Sequence, residues 1–118
     1  MREAVIPTIR EVQEAVAARW GVTVLDLVSQ RRTQPAVRLR QIAMWLCRHT
    51  TLHGYPPIGR AFGDRDHTTV MHAIRRVDEM LERSPELALE LAQLRYALNS
   101  GESVDSVEKR RAMMRLVA

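Results

Sequence analysis

Asp66 is the residue that most constrains this chain. It closes the stretch FGDRD, Phe62 to Asp66, and just beyond it Val70, Ala73, Ile74, Val77, Met80 and Leu81 recur at intervals of three and four. That spacing lines one face of an α-helix and no face of a strand. A carboxylate at the helix start can accept from the amide of Thr68 or Thr69, satisfying a donor that the first turn leaves open. Upstream, Pro57 predicts a helix of less than two turns that buries Ile58, Ala61 and Phe62 and ends at Gly63. Two helices joined across so tight a turn make a helix-turn-helix.

The same spacing recurs along the rest of the chain. Pro7 is expected to open a helix with Ile9, Val12, Val16 and Trp20 on one face and Gly21 as its stop. Thr23 is the cap expected for a short helix burying Val24, Leu27 and Val28, and SQRRTQ, Ser29 to Gln34, reads as a basic loop. Pro35 opens a longer helix whose Leu39, Ile42, Ala43, Leu46 and Cys47 face inward, leaving Arg38, Arg40, Gln41 and Arg48 on the more exposed sides. Ser84 and Pro85 begin a further helix with Leu87, Leu91, Leu94 and Leu98 inside. No segment alternates as a strand does, so the expected fold is all-α. A chain of 118 residues supports one compact domain, placed at 1–99, with a tail at 100–118. The tail's KRRAMMRLV either completes the fold as an amphipathic helix or offers an extra contact to DNA or a protein. Only 4% of residues are aromatic, so aliphatic side chains must fill the core.

Charge is distributed unevenly. Nine arginines and only two acidic residues lie between Ser29 and Arg76, although the whole chain carries +4. Positive charge concentrated beside a helix-turn-helix points to a polyanion, and such a motif presents its second helix to the DNA major groove N-terminus first. His67, Thr68 and Thr69 then meet base edges, where imidazole and hydroxyl groups supply short donors and acceptors and a threonine methyl packs on thymine; Asp66 can accept from a cytosine amino group. Arg31, Arg32, Arg38, Arg40, Arg48, Arg60 and Arg65 are candidate phosphate contacts, and an arginine from the 29–34 loop can enter the minor groove. Arg40→Ala is expected to weaken all sequences alike.

Other classes fit less well. The single Cys47 excludes an intramolecular disulfide and a cysteine-based zinc cluster, and points to a reducing compartment. No apolar run approaches the roughly 18 residues of a membrane span, so the expected location is cytoplasmic and nucleoid-associated, without membrane. The only lysine, Lys109, lacks the glycines of a GxxxxGK[ST] phosphate loop, so no nucleotide, no other cofactor and no enzymatic activity are expected. Asp64, Asp66, His67 and His72 could be imagined as a nuclease metal site, but capping competes for Asp66.

Three stretches carry a family resemblance: SQRR at Ser29 to Arg32, RLRQIAM at Arg38 to Met44, and IGRAFGDRDHTTVMHAIRRV at Ile58 to Val77. From about Thr8 to Leu98 the chain resembles the C-terminal DNA-binding domain of the bacterial replication initiator DnaA. The resemblance implies a Trp-repressor-like helix-turn-helix that binds double-stranded DNA at the nonamer called the DnaA box. Asp66, His67 and Thr68 would read bases in the major groove and Arg32 would enter the minor groove. Arg40, Gln41, Arg48, Thr69 and His72 would hold the backbone. Charge and placement, apart from the resemblance, add Arg31, Arg38, Arg65 and Arg76 to the expected backbone contacts.

The chain departs from the family at Gln30, where a lysine is common, near Gln34, where a basic residue is common, at Leu39 for proline and at Asp64 for a second glycine. Fewer loop cations and an added carboxylate weaken phosphate attraction. The expectation is a small stand-alone protein that binds DnaA-box-like sites and influences replication initiation without ATPase activity. The alternative is an adaptor that regulates the initiator, or binds its regulators, through the tail or helix faces.

Overall fold

The computed structural model describes residues 5–101, which form six α-helices: α1 (Ile9–Trp20), α2 (Val24–Val28), α3 (Ala36–Thr50), α4 (Tyr55–Ala61), α5 (His67–Arg83) and α6 (Pro85–Ser100). No strand occurs among the described residues, in keeping with the all-α expectation. The tail lies outside them apart from Ser100, the last residue of α6, and Gly101, its left-handed cap.

Local chemistry fixes most of the boundaries. Thr8 and Glu11 form a reciprocal capping box, each side chain accepting the other's amide at 3.0 and 3.2 Å, so α1 starts two residues later than Pro7 suggests; Pro7 is buried ahead of the cap. Thr23 and Asp26 repeat the device at α2, and Asp26 is held below its usual carboxylate range first by the Thr23 amide and then by the Thr23 hydroxyl. Pro35 stands at the N-cap of α3 rather than inside it. Ser84 caps α6 by accepting from the Leu87 amide at 3.1 Å.

α3 is the axis of the domain, packing against α1, α2, α4, α5 and α6. From Leu39 to Cys47 only Gln41 escapes full burial. The buried face is therefore wider than the sequence expectation, while Arg38, Arg48 and His49 stay exposed as expected. Met44 and Trp45 join the core, Trp45 donating its indole N–H to Asp78 Oδ1 at 2.8 Å. Arg40, expected on an exposed side, is 5% exposed. Burial also pushes the Cys47 thiol up to about 12, which keeps it protonated and inert.

The helix-turn-helix rests on this axis. Ile58, Phe62, Val70 and Val77 are completely enclosed, each contributing about 1.5–3 kcal/mol through burial. Gln13, buried on α1, donates to the Ala61 carbonyl at 3.0 Å and ties α4 to the other side of the core.

α4 also meets the turn that follows it at van der Waals limits. The Arg65 amide donates to the Gly59 carbonyl at 2.8 Å, and a Cβ on Gly59 would stand 2.1 Å from the Arg65 carbonyl oxygen. Gly59→Ala must therefore push the turn off α4. The expected loss is about 1–3 kcal/mol or more, read as a lower urea midpoint in equilibrium unfolding; an unchanged midpoint would show that this close approach is dispensable.

Candidate nucleic-acid interface

The turn from α4 to α5 reverses direction through two consecutive left-handed residues, Gly63 with φ 76° and Asp64 with φ 58°. Glycine takes that conformation freely; an aspartate does so at some cost, which gives the family's second glycine at this position a conformational reason. Asp66 follows as the N-cap residue of α5 in extended conformation.

Its carboxylate is used differently from the sequence expectation. It makes no side-chain cap to the main chain: Oδ1 lies 3.1 Å from His67 Nδ1, and Oδ2 accepts the Thr68 hydroxyl. The Thr68 hydroxyl is the first cause holding Asp66 below its usual carboxylate range; desolvation opposes it and the His67 ring assists. The three residues named as base readers thus form one hydrogen-bonded group. It lies open, with Asp66 and His67 side chains 64% and 52% exposed. Asp66 holds its two neighbours, and the positive end of α5 favours anions there.

One turn along, the faces of α5 separate cleanly. Val70, Ala73, Ile74 and Val77 are buried, whereas Thr69, Met71, His72, Arg75 and Arg76 are exposed. Between α3 and α5 runs a groove of about 380 Å³ lined in part by Arg40, Gln41, Arg65, Thr69, His72 and Arg76. Six of the nine residues expected along the DNA backbone therefore meet in one place. Arg38 and Arg48 are exposed on α3 outside this lining, Arg48 lying 4.8 Å over the Tyr55 ring. Arg31 and Arg32 are exposed in the loop between α2 and α3. Arg60 lines a second depression beside Asp64, Asp66 and His67 on the far side of the turn.

Arg40 is the residue whose surroundings differ most from expectation. Its Nε donates to the Leu27 carbonyl at 2.7 Å, and its Nη2 is shared among the carbonyls of Ser29, Arg31 and Asp26 at 3.0, 3.1 and 3.3 Å. Arg65 donates to the Ser29 carbonyl at 2.7 Å and to that of Phe62, and Gln30 Nε2 donates to the Gly63 carbonyl at 3.0 Å. Burial, and then the neighbouring Arg65 charge, lower the Arg40 pKa; burial, and then Arg32, lower that of Arg65. Sequence reading missed the contribution of Gln30 altogether. For Arg40 a signal existed: it lies three and seven positions before the inward-facing Ala43 and Cys47.

Among the described residues no group of three His, Cys, Asp or Glu side chains is placed to hold a metal ion, so the nuclease reading finds no ligand set there. No helix among them is long and apolar enough to cross a membrane.

A short helix, a left-handed turn and an amphipathic second helix with an open polar start beside a basic groove define a helix-turn-helix DNA-binding domain, a class of binding module rather than a catalytic one. The family described as the bacterial dnaA protein helix-turn-helix matches residues 9–77, and the chain belongs to it. The chromosomal replication initiator protein DnaA of Gluconobacter oxydans is 43% identical over 91 residues, covering 77% of this chain and 19% of that protein. Its counterpart in Magnetococcus marinus is 46% identical, covering 77% and 20%. A crystal structure of a DNA replication initiation factor superposes with a TM-score of 0.67 at 37% identity, over 75% of this chain and 28% of that one. The chain thus spans about a fifth of the length of the curated relatives it matches.

Relieving the left-handed aspartate gives a direct check on the turn. Asp64→Gly is expected to stabilise the fold by about 1 kcal/mol and, by removing a carboxylate beside the interface, to tighten DNA binding. Lower stability in thermal unfolding would contradict the conformational reason given for this position.

Proposed function

We propose that this chain binds double-stranded DNA at DnaA-box-like sites and thereby influences replication initiation through binding alone, without nucleotide hydrolysis. The observation that carries this reading is the division of α5: an enclosed apolar face and, opposite it, an open Asp66–His67–Thr68 group flanked by a basic groove. Asp66, His67 and Thr68 read base edges in the major groove, and Arg32 reaches into the adjacent minor groove. Arg31, Arg38, Gln41, Arg48, Thr69, His72 and Arg76 contact the sugar-phosphate backbone, with Arg40 and Arg65 beside them in the groove wall. The Arg65 charge disfavours that of Arg40, and a phosphate drawn to the groove relieves that repulsion. The relatives named as chromosomal replication initiators supply the biological setting.

A second reading rests on α6, where Leu89 and Tyr96, seven positions apart, are 56% and 61% exposed. An adaptor would use such a face for a protein partner, and Tyr96→Ala would then abolish its regulatory effect while leaving DNA affinity intact.

Titration of a DnaA-box duplex and a scrambled control tests the first reading. His67→Ala and Thr68→Ala are each expected to lose about 1–3 kcal/mol on the box only. If about seven phosphates are neutralised, log K falls against log salt with a slope near −6. Equal losses on both duplexes would remove the base-reading role from these residues.

A further inference from the structure

The 29–34 loop has no secondary structure of its own, yet it carries both Arg31 and Arg32. A flexible loop presenting an arginine to a narrow groove must order it on binding, which costs conformational entropy. Here the carbonyls that flank Gln30 are already taken. The Ser29 oxygen accepts from Arg40 on α3 and from Arg65 just before α5, and the Arg31 oxygen also accepts from Arg40. Gln30 closes the circuit by donating to Gly63 inside the turn. The fit is close: a Cβ on Gly63 would lie 2.3 Å from the Val28 carbonyl and 2.9 Å from Arg65 Nη1.

We propose that Arg40, Arg65 and Gln30 are positioning residues that lock the arginine-bearing loop at a fixed offset from the start of α5, so that minor-groove and major-groove reading are coupled. This goes beyond the groove contacts proposed above and rests on them. A planar guanidinium with several donors can hold carbonyls in different directions at once, whereas a lysine ammonium brings the same charge from a single point. Charge and positioning can therefore be separated by Arg→Lys exchange.

The experiment measures binding of wild type, Arg40→Lys and Gln30→Ala to four duplexes: a DnaA box, a box changed at a base pair read in the major groove, a box with an A·T to G·C change on the minor-groove side, and a scrambled control. Arg40→Lys is expected to lose about tenfold or more on the box and to stop discriminating the minor-groove change, while still rejecting the major-groove change and binding the scrambled duplex within about twofold of wild type. Gln30→Ala, at an exposed position outside the core, gives the same pattern at a few-fold scale and decides the matter if Arg40→Lys does not fold. Wild-type behaviour of Arg40→Lys on every duplex makes Arg40 a replaceable charge and overturns the proposal. A uniform loss with all discrimination ratios kept also overturns it, since that is what a smaller folded fraction produces. Failure of the underlying function reads differently: wild type itself binds box and scrambled duplex equally.

Discussion

Arg65 engages the structure in two directions at once. Its amide closes the turn onto the Gly59 carbonyl, and its guanidinium reaches the Ser29 carbonyl in the loop after α2. The first contact sets how α4 delivers the chain into α5; the second sets where the loop lies relative to that delivery. Both depend on glycine: Gly59 leaves room for the Arg65 main chain, and Gly63 leaves room for Val28 and the Arg65 side chain. A side chain at either position would collide with these atoms and push the turn away from α4 or from the loop.

The core makes this junction rigid. α3 is buried on nearly every side and touches five neighbouring helices, so elements that never meet directly share one reference. Arg40 projects from that reference into the loop. A guanidinium so enclosed persists because carbonyl dipoles solvate it, each bond to a charged donor contributing about 1.5–3 kcal/mol. The polar surface of α5 is then free for recognition, because folding uses the opposite face.

Much of this was legible in sequence because helical periodicity and capping chemistry are local. Asp66, Thr23, Gly21 and Gly63 marked their boundaries, and Val70 to Leu81 marked the inner face of α5. Three features were not legible. Thr8 and Glu11 displaced Pro7 as the start of α1, a competition between two valid start signals. The Asp66 carboxylate turned to Thr68 and His67 instead of the main chain, since short side chains in the first turn compete for the same oxygens. The carbonyl partners of Arg40 and the reach of Gln30 to Gly63, 33 residues away, depend on tertiary contacts that no periodicity encodes, although spacing alone places Arg40 toward the inner face. Spacing does not distinguish Arg31 from Arg32, both exposed in the same loop; that choice comes only as what the family resemblance implies.

The central claim is that the first turn of α5 and the loop after α2 engage one DNA duplex together. Amide chemical-shift mapping of the labelled protein with a DnaA-box duplex tests it most directly. The account predicts that signals of residues 29–34 and 66–69 move in concert along one titration, with the outer face of α6 unaffected. Shifts centred on Leu89 and Tyr96, or movement of only one of the two segments, would contradict it.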